Sequence, residues 1–148
     1  MKKINLYSDG SSLGNPGAGG YASIIKYGEH QKEISGGKQE TTNNQMELLA
    51  VIEGLKALKE ACIVEIFSDS KYVVNGINLW LANWLKNGFK TANKTAIKNQ
   101  DLWQEYLKIS KQHKIKANWV KGHAGHIENE RCDELARSEA TKIQEGAK

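Results

Sequence analysis

The sequence predicts an α/β domain built on a five-stranded mixed sheet with helices on both faces. Three features of the chain indicate this class: apolar residues alternate near its start, then recur at helical spacing, and two short β-rich segments lie between the later helices. A length of 148 residues suits one domain. The hydrophobic content of 39% and the charged content of 26% are typical of soluble globular proteins.

Three successive antiparallel strands are predicted to open the fold, over residues 3–9, 21–27 and about 31–35. The first strand alternates Ile4 and Leu6 with polar residues, which is the pattern of a half-buried strand. A turn rich in Gly, Ser and Asn separates it from the second strand. Gly28-Glu29 suits a hairpin turn between the second strand and the third.

Helices and two further strands follow in alternation. Thr42 and Gln45 form a capping box, and a stripe of apolar residues at helical spacing follows them: Leu48, Val51, Ile52, Leu55 and Leu58. The remaining helices are predicted over residues 71–87, 101–112 and 128–142, and the strands over 63–68 and 115–120. Strands joined through a helix run parallel, so both later strands should extend the sheet in parallel.

Charge and cysteine content give weaker expectations. The formal net charge of +4 and the pI of about 9.0 favour polyanionic partners only mildly. Cys62 and Cys132 are the only cysteines, so a disulfide framework is not predicted.

The longest apolar run, residues 48–52, is far too short to span a bilayer, and the N-terminus lacks the apolar core of a signal peptide. We expect a cytoplasmic monomer without a membrane association or an obligate protein partner.

Four carboxylates occupy positions suited to metal ions. Asp9 and Asp69 end predicted strands, Glu47 lies early in a helix, and Asp133 is next to the inward-facing Cys132. Mg²⁺ prefers carboxylate oxygens, and two ions about 4 Å apart can clamp the attacking and leaving oxygens of a phosphodiester. Each acid alone is explained equally well as a turn, cap or surface residue. Together they predict a metal-dependent nuclease.

His123 lies in the glycine-flanked loop KGHAGHIENE and is a candidate for proton transfer, because histidine titrates near neutral pH. One rival interpretation is a zinc site made by His123, His126 and Cys132, but it lacks a fourth ligand and a CxxC pair. A loop histidine without a chemical role is the other alternative.

A segment without Asp or Glu runs from Ser70 to Gln100 and carries five lysines: Lys71, Lys86, Lys90, Lys94 and Lys98. The aromatic residues Trp80, Trp84 and Phe89 lie among them. Lysines contact phosphates and exposed aromatic rings pack on sugars or bases, so the segment predicts a nucleic-acid contact. The alternative is that the tryptophans are core residues and the lysines form a solvated face.

Polar side chains in two further places are candidates for binding a nucleic-acid backbone. They are Asn15 in the first loop and the helix start Thr42, Asn43, Asn44 and Gln45. Helix N-termini bind phosphates, and amides can pair with the 2′-hydroxyl that distinguishes RNA from DNA. Helix capping alone would explain Thr42, so this pattern is only moderately specific.

The chain resembles bacterial type 1 ribonuclease H over nearly its whole length. The resemblance is carried by SDGSSLGNPGAGGYA, TTNNQMEL, SDSKYV, KTANK, KNQDLW and WVKGHAGHIENERCDELAR. It implies a ribonuclease H-like fold, with a catalytic domain over residues 1–142 and a frayed polar tail over 143–148. It also implies an endonuclease that hydrolyses the RNA strand of RNA–DNA hybrids, leaving 3′-hydroxyl and 5′-phosphate ends, with two Mg²⁺ ions or Mn²⁺ in their place.

The resemblance assigns roles to individual residues. Asp9, Glu47, Asp69 and Asp133 would hold the ions, with Asp9 bridging both, and His123 would assist proton transfer and product release. The hybrid would be contacted by a larger set: Asn15, Thr42, Asn43, Asn44, Gln45, Trp80, Lys86, Lys90, Thr91, Lys94 and Asn99. Thr42 and Asn99 would form a pocket for a DNA phosphate.

One position departs from the family pattern. Glu40 stands where family members often have an arginine, two residues before the pocket threonine, and Lys38 is nearby. An acid there should weaken phosphate binding unless Lys38 compensates. Asn87 and Asn93 also make the basic segment less basic than it could be, so we expect modest hybrid affinity with a smaller salt dependence than in more basic relatives. Two rival functions stay open: a ribonuclease H domain of a reverse transcriptase or integrase, and a module that binds hybrids without cutting them.

Overall fold

The computed structural model describes residues 1–86, 88, 98–121 and 126–146, and these residues form the predicted five-stranded mixed sheet. The strands are β1 (Lys2–Ser12), β2 (Gly17–Tyr27), β3 (His30–Thr41), β4 (Cys62–Ser68) and β5 (Lys114–Trp119). Their spatial order is β3-β2-β1-β4-β5. The first three pair antiparallel, and β4 and β5 run parallel to β1, as the sequence predicted.

The helices lie on both faces of the sheet. They are α1 (Asn43–Lys56), α2 (Lys71–Asn75), α3 (Leu81–Lys86), α4 (Gln100–Ser110) and α5 (Ile127–Gly146). Neighbouring strand residues point to opposite faces, so Ile25 packs in the core on the α1 side while Ile24 packs with Cys132 and Ala136 of α5. None of the helices in the described ranges has the length and apolar content needed to cross a membrane.

The opening strands are longer than the sequence indicated. β1 continues to Ser12 because its last residues pair with β2, with Asp9 opposite Ala22. The prediction that Asp9 ends a strand was therefore wrong, since backbone pairing extends through polar and glycine residues that show no apolar alternation. Pairing of β1 with β4 ends at Tyr7 opposite Phe67. Asp9 consequently lies just beyond the point where these two strands separate.

The single helix predicted over residues 71–87 is interrupted. A π-helical turn, Gly76–Trp80, separates α2 from α3. A side chain at Gly76 would meet the ring of Trp103, which is fully buried and packs among Tyr72 and Trp84. The wider π turn accommodates this ring, a feature of tertiary packing that helical periodicity does not report.

The last helix extends further than predicted. α5 continues through Gly146, so residues 143–146 are helical, and only 147 and 148 of the expected frayed tail lie outside the described residues. The helix runs close to the sheet: a Cβ on Gly37 of β3 would lie 2.6 Å from Ile143, and one on Gly20 of β2 would lie 2.7 Å from the Ala140 nitrogen. This packing against β2 and β3 accounts for the added turn. The domain boundary at 142 stays a prediction.

His113, in the turn before β5, should make stability depend on pH. Its Nδ1 accepts a hydrogen bond from the Cys62 backbone N–H at 3.1 Å, and burial lowers the pKa of the ring below its usual 6.5. A lowered pKa adds stability above the unfolded-state pKa, and this stability is lost as pH falls through the folded-state pKa. We expect the unfolding temperature of the wild type to fall, relative to that of His113→Asn, between about pH 7 and about pH 5. Parallel pH curves for the two proteins would contradict this.

Candidate active site

Three carboxylates from distant parts of the chain converge where β1 and β4 separate. One oxygen each from Asp9, Glu47 and Asp69 lies within 4.8 Å of the other two. Asp9 is 7% exposed and Glu47 is 5% exposed, whereas Asp69, just after β4, is more open to solvent. The structure thus brings together three of the four acids that the sequence singled out. We call these three residues the carboxylate cluster.

Glycine at position 10 allows α1 to approach the sheet closely enough to deliver Glu47. The Gly10 backbone N–H donates to Glu47 Oε1 and, at 2.9 Å, to Asp9 Oδ1. A Cβ on Gly10 would lie 2.8 Å from the Glu47 Cα and closer still to other α1 backbone atoms. Only a residue without a side chain fits between strand and helix at this contact.

The capping box predicted at the start of α1 is confirmed and sets the position of Glu47. The Gln45 N–H donates to Thr42 Oγ1 at 3.3 Å, and the Thr42 N–H donates to Gln45 Oε1 at 3.3 Å. The helix therefore begins at Asn43, and its second turn turns Glu47 toward β1.

Burial makes this cluster costly when all its members are ionised. Burial, helped by the nearby charges of Asp69 and Asp133, raises the pKa of Asp9 to about 7. Burial and the charge of Asp9 raise the pKa of Glu47 well above its ordinary value. Acids packed in this way either hold protons near neutral pH or need a cation. The donor set is entirely carboxylate oxygen, which suits a hard divalent ion such as Mg²⁺.

Asp133 lies next to the cluster and outside the three-oxygen group. It projects from α5 close enough to Asp9 to contribute to the raised pKa of that residue. Its Oδ2 pairs with Arg137 at 2.7 Å, one helical turn further along α5. Asp133 thus forms a salt bridge with a cationic side chain. Within the described residues, none of the three cluster members forms one.

Polar residues at the start of α1 meet the start of α4 in a small pocket. Its lining consists of Asn15, Thr42, Asn43, Asn44, Lys98 and Asn99. Gln45 Nε2 donates to Asn99 Oδ1 at 3.1 Å, and Asn99 Nδ2 and Trp103 Nε1 both donate to the Tyr72 hydroxyl, at 3.1 and 2.9 Å. Asn99 has a φ of 61°, a conformation that asparagine tolerates better than most residues. This network fixes the pocket to the buried core.

Comparison with known proteins agrees with the fold. Residues 1–141 match the family model described as RNase H. The chain belongs to the ribonuclease H family. The Ribonuclease H of Campylobacter concisus is 63% identical over 145 residues, covering 98% of this chain and 97% of the relative. The Ribonuclease HI of Helicobacter pylori is 56% identical, covering 96% of each chain.

Solved structures include similar ribonucleases H. The crystal structure of LC9-RNase H1, a type 1 RNase H with the type 2 active-site motif, superimposes with a TM-score of 0.87 at 32% identity. The match covers 97% of this chain and 74% of that one. The sequence-based resemblance to ribonuclease H is therefore confirmed.

Lys98 is a pocket residue that sequence reasoning counted only among the lysines of the basic segment. It lines the pocket beside Thr42 and Asn99, whereas Glu40 is exposed and Lys38 lines a neighbouring groove with Gln45. Its position directly before Asn99 in the sequence was the available signal. The expected effect of Glu40 on this pocket stays a prediction.

The aromatic part of the basic segment is only partly exposed. Trp80 is half-buried, with its ring centroid 6.1 Å from Tyr72 and 5.7 Å from Trp84, so core packing explains much of its position. Lys86 is exposed at the end of α3. Four other expected site residues lie outside the described residues, and their roles stay predictions: Lys90, Thr91, Lys94 and His123.

The zinc interpretation gains no support. Cys132 is fully buried, its Sγ donates to the Tyr7 oxygen at 3.5 Å, and burial raises the pKa of its thiol. A buried neutral thiol is a poor zinc ligand, because zinc binds the thiolate. Among the residues that the structure describes, the carboxylate cluster is the only grouping suited to a metal ion.

Proposed function

We propose that this ribonuclease H hydrolyses the RNA strand of RNA–DNA hybrids at the carboxylate cluster, leaving 3′-hydroxyl and 5′-phosphate ends. The observation that carries the proposal is the convergence of Asp9, Glu47 and Asp69 oxygens within 4.8 Å in a member of this family. Buried acids with raised pKa values, such as Asp9 and Glu47, are typical of catalytic sites. Solvent reaches the cluster from the side of Asp69, its more exposed member.

Two Mg²⁺ ions, with Mn²⁺ as a substitute, are the proposed cofactors. Asp9, Glu47 and Asp69 would hold them, with Asp133 as a further ligand. Bound ions of this kind would activate water and stabilise the charge that develops on the phosphodiester oxygens. The chain itself supplies fixed carboxylates: the Gly10 N–H orients both Asp9 and Glu47, and burial of these two acids keeps bulk water from screening them.

The pocket at the start of α1 is the proposed binding site for the hybrid backbone. Thr42, Asn99 and Lys98 would hold a DNA phosphate, while the amides of Asn15, Asn43, Asn44 and Gln45 would lie near RNA 2′-hydroxyl groups. The basic segment is proposed to contact the hybrid through five residues: Trp80, Lys86, Lys90, Thr91 and Lys94. His123 is proposed to assist proton transfer. We further propose that the protein works as a monomer in the cytoplasm.

Lys98→Ala should weaken hybrid binding and reduce its salt dependence. Each lysine that neutralises a phosphate releases counterions, so its loss lowers the slope of log affinity against log salt by about 1. Fluorescence anisotropy of a labelled hybrid in chelator, at several salt concentrations, measures this slope. Lys59→Ala is the control and should change the slope little, because Lys59 is an exposed lysine before β4 that does not line the pocket. A larger effect from Lys59→Ala than from Lys98→Ala would contradict this assignment.

The function is tested with a hybrid labelled separately on each strand, incubated with the protein in Mg²⁺, in Mn²⁺ and in chelator. Single-stranded RNA, duplex RNA and duplex DNA are the other substrates. Cutting of only the RNA strand of the hybrid, dependent on metal and yielding 5′-phosphate ends, is the expected result. Hybrid binding without cutting in either metal would instead favour the binding module.

A further inference from the structure

A lysine and a tryptophan beside the carboxylate cluster have no part in the site described above. Lys71 is the first residue of α2, two positions after Asp69, and is exposed. Trp119 ends β5 and is 47% exposed, although large aromatic rings are usually mostly buried. The Lys71 Nζ lies 5.0 Å from the centroid of the Trp119 ring, within the range of a cation–π contact.

Two hydrogen bonds fix this pair to the end of β4. Trp119 Nε1 donates to the Asp69 backbone oxygen at 3.1 Å, and the Val120 N–H donates to the Ser68 backbone oxygen at 2.9 Å. The tryptophan ring is therefore held beside the residue that contributes the most open carboxylate of the cluster. Because Lys71 lies over that ring, its ammonium group is positioned relative to the cluster as well.

The charge of Lys71 stays available to a ligand. Over the ranges that the structure describes, neither Lys71 nor Asp69 takes part in an ion pair, although they are two residues apart. A lysine stem can pack on an aromatic surface while its charged end remains in water. The ring thus holds a cation next to the cluster without neutralising Asp69, which must stay available to bind metal.

We infer that Lys71, positioned by Trp119, binds a backbone phosphate of the RNA strand next to the bond that is cut. This inference rests on the proposed function, because the strand that is hydrolysed must lie across the carboxylate cluster. A cation fixed at the Asp69 side of the cluster faces that strand. Lysine contacts phosphate as a point charge and reads no sequence. Lys71 therefore adds affinity and strand position, and Trp119 is a positioning residue.

Lys71→Gln removes the charge and keeps most of the stem, and Lys71→Arg keeps the charge over the ring. Lys59→Gln is the matched control, because Lys59 is an exposed lysine before the start of β4, at the opposite end of that strand from Asp69. For each phosphate that a protein neutralises, counterion release makes the affinity vary as roughly the −0.9 power of the salt concentration. One phosphate contact therefore contributes about an eightfold gain in affinity at 0.1 M salt relative to 1 M. We expect Lys71→Gln to raise the KM for the hybrid by about this factor, with a smaller effect on kcat, while Lys71→Arg and Lys59→Gln resemble the wild type.

The strand is identified by hybrids that carry uncharged methylphosphonate linkages, at 2′-deoxy positions for chemical stability, in one strand at a time. Anisotropy titrations in chelator give the affinity without cutting. If Lys71 contacts the RNA strand, neutral linkages in that strand should remove the difference between the wild type and Lys71→Gln. The same linkages in the DNA strand should leave the difference intact, as in a double-mutant cycle.

The outcomes separate this inference from the proposed function. Equal KM and equal salt slope for the wild type and Lys71→Gln would overturn the inference, as would a changed unfolding temperature with unchanged binding. Loss of the difference only with neutral linkages in the DNA strand would also overturn it. A wild type that binds hybrid without cutting would contradict the proposed function, while the anisotropy comparison would still decide the role of Lys71.

Discussion

Asp9→Asn is expected to reduce hydrolysis of the RNA strand by about a thousandfold or more while leaving hybrid binding nearly unchanged. Asp9 is one of the two buried members of the cluster; it accepts a hydrogen bond from the Gly10 N–H and lies close enough to Glu47, Asp69 and Asp133 for all three to influence its pKa. Losing a metal-binding carboxylate removes several kcal/mol of transition-state stabilisation, and each 1.36 kcal/mol is about tenfold in rate. Single-turnover cleavage and anisotropy on one hybrid measure the two quantities.

Glu29→Gln is the control for that comparison, because Glu29 is an exposed carboxylate in the β2–β3 turn. It should cleave at the wild-type rate. Equal loss of binding and cleavage in Asp9→Asn would contradict the separation of catalysis from hybrid binding. Substantial cleavage by Asp9→Asn would contradict the cluster as the catalytic site.

Asp9→Asn should also stabilise the metal-free protein at neutral pH. The pKa of Asp9 is raised from 3.8 to about 7, so its stabilising contribution is complete below pH 3.8 and is lost as pH rises through 7. An asparagine does not titrate and avoids this loss. In chelator, we expect the unfolding temperature of the wild type to fall relative to Asp9→Asn between about pH 4 and about pH 8, and Mg²⁺ to restore it. A less stable Asp9→Asn at pH 8 in chelator would contradict the burial of a costly charge.

Gly10→Ala should disable the site from outside the set of metal-binding residues. The added methyl group would collide with the α1 backbone around Met46 and Glu47, so either the helix moves or the strand bends. Forced packing of this kind costs typically about 1–3 kcal/mol of stability, and displacement of Glu47 should lower the cleavage rate about a hundredfold.

Thermal unfolding and single-turnover cleavage of Gly10→Ala measure both effects. Gly146→Ala is the control, because a Cβ at this helix end would meet nothing within 4 Å. It should match the wild type in both measurements. A Gly10→Ala protein with wild-type stability and rate would show that the contact between β1 and α1 can relax without cost.

Local sequence signals predicted much of this molecule, and long-range contacts account for most of what they missed. The capping box of Thr42 and Gln45 spans four residues and could be predicted directly. The contact of Gly10 with Glu47 joins residues 37 apart, and apolar periodicity does not report it. The same holds for the π turn at Gly76, which depends on the ring of Trp103.

The candidate site shows the same division. Three of the four acids that the sequence singled out form the cluster, because residue type and motif order determine the donor set. The pairing of Asp133 with Arg137 follows i,i+4 spacing and was open to prediction. The placement of Lys98 in the pocket and of Lys71 over Trp119 depends on how the ends of separate elements meet, which a single sequence does not specify.

The central claim is that the carboxylate cluster holds the catalytic metal ions, and anomalous X-ray diffraction from crystals soaked in Mn²⁺ tests it most directly. The account predicts anomalous peaks bound by oxygens of Asp9, Glu47 and Asp69, which disappear in Asp9→Asn crystals treated identically. Peaks confined to other parts of the surface, in a protein that still cleaves hybrids with Mn²⁺, would contradict it.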